Sequence, residues 1–99
     1  MAAIITIVRR SADVVEFQPP EITIPSGEVV VFRNHDPREQ HWITRQGADR
    51  SLWFKHPLAP FVPGRPADVS DELLLDERVT PYVCALHARE SGVINVEAR

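Results

Sequence analysis

Short β-branched or apolar runs, one of them alternating with polar residues at a period of two, recur along this chain between polar breaks, and no stretch sustains a helical period for more than a few turns. Ala3 to Val8 is rich in β-branched residues and predicts a strand. Arg9 to Asp13 is polar and predicts a turn. Val14 to Phe17 is a short extended piece, closed by Pro19-Pro20, which cannot donate to a ladder. Ile22 and Ile24 alternate with Glu21 and Thr23, as in a strand with one buried face. Pro25-Ser26-Gly27 is turn chemistry. Glu28 to Asn34 is nearly apolar on both faces and is expected to lie centrally in a sheet. A polar loop with Pro37 follows, then a short strand from His41 to Thr44. From Arg45 to Val69 the periodicity fails. Pro57, Pro60, Pro63 and Pro66 punctuate this irregular stretch, with one helical turn predicted around Ser51 to Lys55. Asp71 to Leu75, Val79 to Cys84 and Gly92 to Ala98 complete the strands, with Asp76-Glu77 as a turn. Short strands separated by Pro, Gly and Asp turns predict an all-β sandwich with Greek-key connections. Such a sandwich gathers its loops at one end, where residues distant in sequence meet.

Composition narrows the class without changing the fold. With 99 residues the chain suits one domain, residues 1–99, around one modest core. Its 11 basic and 14 acidic residues give a net charge of -3, which offers no bulk attraction to nucleic acid. No basic stripe with interleaved aromatics is present. Nothing approaches the unbroken apolar run of a membrane span. The first residues lack the charged start and apolar centre of a signal peptide. A complete chain is therefore expected in the cytoplasm; one whose signal has been removed is expected in the periplasm or outside the cell. A single cysteine, Cys84, excludes an internal disulfide.

The chemistry concentrates around that cysteine. His87 follows Cys84 by three residues, and Glu90 follows His87 by three more. A strand–loop–strand that places a thiol, an imidazole and a carboxylate so close together reads as half of a metal site. His41, 43 residues before Cys84, is the best candidate for the other half. A thiolate and two imidazoles form a soft trigonal set that suits copper, with a weaker ligand on the axis. Bland readings compete: a buried cysteine is often an inert small apolar residue, and a Cys-x-x-His pair recurs by chance. His35, in the same loop as His41, and His56, in the irregular stretch, read as surface residues. Trp53 and Phe54 read as core cover. Leu58-Ala59-Pro60-Phe61-Val62-Pro63 reads either as core cover or as an apolar patch around His87 where a partner docks.

Four segments carry a resemblance to a known family: Ile24 to Asn34, a histidine shortly after it, Tyr82-Val83-Cys84-Ala85-Leu86-His87, and Gly92 to Glu97. In this order they resemble the cupredoxin family of small blue copper proteins, its amicyanin-like members above all. The resemblance implies an eight-stranded Greek-key sandwich with copper near one end. It assigns His41, Cys84 and His87 as copper ligands. The amicyanin-like short loop has its axial methionine three residues after the second histidine, where this chain has Glu90. Met1, the only methionine, cannot serve there. A carboxylate ligand is harder and favours Cu(II); a related red copper protein also uses a glutamate, from another part of its chain. The bland reading of Glu90 is a solvated carboxylate near Arg89 or Arg45. The family often has asparagine after the first histidine, tying the ligand loops together, whereas this chain has Trp42.

The resemblance implies an electron-transfer protein, not an enzyme, with one copper per chain cycling between Cu(I) and Cu(II). A redox protein would be its partner and His87 the exit for electrons. Two other classes compete: a copper carrier or red-copper-like site open to small-molecule chemistry, and a metal-free interaction module. Metal content after expression with copper separates the last from the others.

Overall fold

The computed structural model describes residues 2–45, 57–75, 78–84 and 87–97, and for residues 2 and 87–90 the description is of the backbone. Among the described residues there are nine strands in two sheets. They are β1 (Ala2–Arg9), β2 (Val15–Gln18), β3 (Glu21–Pro25), β4 (Val29–Asn34), β5 (Ile43–Arg45), β6 (Asp68–Val69), β7 (Leu73–Leu74), β8 (Val79–Cys84) and β9 (His87–Glu97). One sheet runs β2-β1-β4-β6, with β7 also on β4; the other runs β3-β9-β8-β5. The pairs β1–β4 and β3–β9 are parallel, and the remaining pairs are antiparallel.

The predicted central strand is central. β4 has β1 on one side and β6 and β7 on the other, and no residue along it is exposed. The turn before it needs Gly27. The Glu28 N–H donates to the Pro25 carbonyl at 3.2 Å, and Gly27 takes a φ of 93°, the left-handed third position of a type II turn. β8 keeps a proline inside a strand flanked on both sides. Its described pairing with β5 stops at Tyr82, one residue short of Pro81, so Pro81 breaks none of those bonds.

Two expectations shift. The strand predicted over Asp71 to Leu75 shortens to Leu73–Leu74. β6 had no counterpart in the alternation: at two residues it is too short to carry a pattern, and β4 pins it. Ser70 Oγ accepts from the Phe32 N–H at 2.9 Å, and the Ser70 N–H donates to the Phe32 carbonyl at 2.8 Å. The helical turn at Ser51 to Lys55, together with Trp53, Phe54 and His56, lies outside the described residues.

Between the sheets, Ile5, Ile7, Phe17, Val30 and Phe32 of one sheet meet Ile24, Ile43, Tyr82, Cys84 and Ile94 of the other, with Leu58 completing the cluster. Each large apolar side chain removed from water contributes about 1.5–3 kcal/mol before entropy is counted. Phe17, Phe32 and Tyr82 form an edge-to-face cluster with centroids 4.9 to 6.3 Å apart. Cys84 follows Tyr82 by two on the same inward face of β8, so the thiol sits where the core reaches the end of the sandwich.

Candidate metal centre

Strand pairing brings His41 to Cys84. Ile43 on β5 lies directly opposite Cys84 on β8. His41, two residues before Ile43, shares its inward face and forms an isolated bridge to Leu58. His41 and Cys84 are both buried, and Cys84 Sγ lies 3.6 Å from His41 Nδ1. Two of the predicted ligands, distant in sequence, therefore face each other.

The donors fit a metal ion. With bonds of roughly 2.3 Å to sulfur and 2.0–2.1 Å to imidazole nitrogen, a 3.6 Å separation corresponds to an angle of about 110° at the ion. A buried thiol opposite an imidazole is also the soft pair that copper prefers.

The backbone brings His87 alongside. Cys84 pairs with His87, while the preceding Val83 pairs with Ser91. One step on β8 thus spans four on β9 (91 − 87), and residues 88–90 form an insertion in the ladder. Such bulges re-aim side chains beside functional sites. The predicted Cys84–His87 loop is this hairpin end, and Glu90 belongs to the insertion. The side chains of His87, Arg89 and Glu90 lie outside the described residues. Among the described residues no three His, Cys, Asp or Glu side chains group at metal-ligand spacing.

Behind His41 lies a polar network that the sequence reading missed. His41 Nε2 is 2.7 Å from Asp36 Oδ2, and both side chains are fully buried. Arg9, from the end of β1, forks onto the same carboxylate, with Nε to Oδ1 at 2.7 Å and Nη2 to Oδ2 at 2.8 Å. The Arg38 N–H donates to Oδ1 at 2.9 Å. Arg9 also pairs with Glu39 and donates to the Ala12 carbonyl. Burial pushes the Asp36 carboxyl up, but the hydrogen bonds from Arg9, Arg38 N–H and His41 outweigh it and hold it well below the usual carboxylate range. The Asp36 carboxylate in turn holds the Arg9 guanidinium above its ordinary value, against the cost of burial. A sequence signal for Asp36 existed only as a turn: its bond to the N–H two residues on is an Asx turn.

Asn34 fastens this loop to the segment after residue 56. Its Nδ2 lies 3.1 Å from the Glu39 carbonyl, 3.2 Å from that of Leu58 and 3.0 Å from that of Ala59. Its Oδ1 accepts from the Asp36 N–H at 2.8 Å. The Phe61 N–H donates to the Asp36 carbonyl at 2.8 Å. Here an asparagine before the histidine makes a tie to a different segment, while Trp42 packs half-buried against the core. Asn34→Ala is expected to cost about 2 kcal/mol: the buried Asp36 N–H loses its acceptor and the Glu39 and Ala59 carbonyls lose a donor, while the Leu58 carbonyl keeps the His41 N–H. Urea unfolding of the metal-free protein checks this; a loss below about 1 kcal/mol would show that the tie carries little.

The proline-rich run is core cover only at Leu58. Leu58 is fully buried core, whereas Ala59, Pro60, Val62 and Pro63 are exposed. His35 is exposed, as expected, and stacks on Phe61 with centroids 4.6 Å apart.

The architecture matches known structures. A reduced mutant of amicyanin superposes with a TM-score of 0.72 at 14% identity, over 97% of this chain and 82% of that chain. A purple cupredoxin from Nitrosopumilus maritimus gives 0.69 at 24% identity, over 96% of this chain and 99% of that one. Amicyanin from Paracoccus versutus gives 0.68 at 18% identity, over 97% and 81% respectively. No family model and no curated protein sequence matches the chain. The chain has the cupredoxin fold, and the resemblance read from its sequence holds at that level.

Proposed function

We propose that this chain is a mononuclear copper protein that carries single electrons and turns over no substrate. The observation that carries this reading is the buried Cys84–His41 pair, with sulfur and nitrogen 3.6 Å apart at the end of a cupredoxin-fold sandwich. His41, Cys84 and His87 would hold one copper, with Glu90 as a fourth ligand. Copper contributes the one-electron change between Cu(I) and Cu(II). The protein's part is rigidity. Cys84 ends β8, His41 lies two residues before the paired strand β5, and Asn34 and Asp36 lock the loop behind His41. Ligands that cannot move far keep the reorganisation small when the charge changes.

His87 is the exit for electrons toward a redox partner protein. The exposed Ala59, Pro60, Val62 and Pro63 supply apolar surface on the segment that covers His41. Copper titration followed by absorption, EPR and voltammetry tests the reading. One equivalent, an intense thiolate-to-copper band and a reversible wave are expected. A chain that takes up no copper, or binds it without a thiolate band, would overturn it.

Glu90 sets the colour in this reading. A carboxylate ligand would weaken the overlap of the copper with the Cys84 sulfur. The oxidised protein is then expected to be green or red and not pure blue. Glu90→Met is expected to give a bluer site with a higher reduction potential, because the softer ligand favours Cu(I). If both Glu90→Met and Glu90→Gln leave the oxidised spectrum and the potential unchanged, Glu90 is a bystander.

A further inference from the structure

A carboxylate sealed in the interior needs a reason, and Asp36 has three partners of different kinds. Its side chain is fully buried. Oδ1 takes the Arg9 Nε–H and the Arg38 backbone N–H, and Oδ2 takes the Arg9 Nη2–H. A guanidinium and a backbone amide have no lone pair to offer, so both oxygens act as acceptors. The remaining contact, 2.7 Å from Oδ2 to His41 Nε2, can be a hydrogen bond only if Nε2 carries the proton. A neutral imidazole then has its lone pair on Nδ1, and Nδ1 is the atom facing Cys84 Sγ.

We propose that Asp36, clamped by Arg9, is a positioning residue: it fixes His41 as the Nε2–H tautomer, aims the Nδ1 lone pair at the metal position beside Cys84, and biases bound copper toward Cu(II). The second half rests on the copper reading above; the first does not. A carboxylate behind a ligating imidazole raises the basicity of the ligand and holds the ring in one orientation. Arg9 is what makes a buried carboxylate tolerable there, since an unpaired charge at this depth would be strongly destabilising. Arg9 also joins the end of β1, the Ala12 carbonyl and Glu39, so the ring of His41 is referenced to the sheet opposite its own.

Asp36→Asn makes the proposal sharp. Its amide oxygen is best placed at the old Oδ1, where two N–H groups need an acceptor. The amide nitrogen then faces His41 Nε2 and can only donate. His41 must accept there, which moves its proton to Nδ1, where it blocks the metal.

Long-range proton–nitrogen NMR of the reduced, metal-free protein reads the tautomer directly, with His41 assigned through His41→Gln. The wild type is expected to show Nε2–H and Asp36→Asn to show Nδ1–H. In copper titrations Asp36→Asn is expected to bind Cu(II) about 10–100-fold more weakly. If Cu(II) loses ten times more affinity than Cu(I), the potential rises by about 59 mV. An Nδ1–H tautomer in the wild type overturns the positioning role, and this arm needs no variant to fold. An Asp36→Asn protein with unchanged Cu(II) affinity and potential overturns the tuning. A wild type with the Nε2–H tautomer that takes up no copper sinks the copper reading and the tuning with it, while the positioning stands.

Discussion

Cys84→Ser is expected to abolish the thiolate-to-copper band and to leave a folded protein. The band belongs to the sulfur, and no other cysteine exists to replace it. A serine oxygen is a far weaker ligand for copper, so tight binding should go with the colour. The fold has reason to survive. Cys84 is buried between the sheets, and His41 Nδ1 lies 3.6 Å from its sulfur. A hydroxyl in that place can donate to the same nitrogen, so the new polar group is not stranded. Urea unfolding of the metal-free variant should fall within about 1–2 kcal/mol of wild type. Absorption and EPR of the copper-titrated variant check the first half. A variant that keeps the band would remove Cys84 from the ligand set, and with it the proposed centre.

Residues whose role follows from their own neighbours were legible in the sequence. β4 was legible because its apolar run is bounded by a turn and a polar loop, and β8 because an extended run rich in β-branched and aromatic residues leads into Cys84. His41 and Cys84 were legible because the chain has one thiol and few imidazoles, and a metal needs both. Asp36 was not. Its local pattern, a polar residue before Pro37, is that of any turn. Its partner Arg9 stands 27 positions away at the end of a strand that looked complete without it. β6 escaped for a similar reason: a two-residue strand is made by the neighbour it pairs with, and Phe32 supplies the bonds to the adjacent Ser70 that hold it. Gly92 was half legible. It reads as the start of the last strand, yet it lies inside β9, where a glycine marks a close approach.

That close approach gives the largest expected loss of stability, from Gly92→Ala. Gly92 lies directly opposite Tyr82, whose ring folds over it. A Cβ at Gly92 would sit 2.2 Å from Tyr82 Oη, 2.4 Å from Cζ and 2.8 Å from the Pro20 carbonyl oxygen. Neither side yields easily. The Tyr82 ring is wedged edge-to-face against Phe17 at 4.9 Å and Phe32 at 5.0 Å. The Pro20 carbonyl is held by the Val93 N–H at 3.1 Å. Overpacking of this kind costs about 1–3 kcal/mol and at times more. At about 4–8 °C per kcal/mol for a domain of this size, a loss of about 3 kcal/mol lowers Tm by roughly 12–24 °C.

Tyr82→Phe tests the cause. The Tyr82 hydroxyl is buried without a hydrogen-bond partner among the described residues. Removing it should leave stability unchanged or raise it by about 1 kcal/mol. Burial also pushes the Tyr82 phenol well above its usual range. The folded protein therefore keeps its proton where an unfolded chain releases it, from about pH 10. This contribution is complete below that pH and is lost progressively as pH rises from there through the raised folded-state range. Tyr82→Phe should remove that alkaline loss. In the Tyr82→Phe background Gly92→Ala should cost less, because the Oη clash is gone while Cζ and the Pro20 carbonyl remain. Denaturant unfolding of the four proteins gives the coupling. A coupling below about 0.5 kcal/mol would mean that the two sites act independently and that the cost of Gly92→Ala comes from the Pro20 side alone.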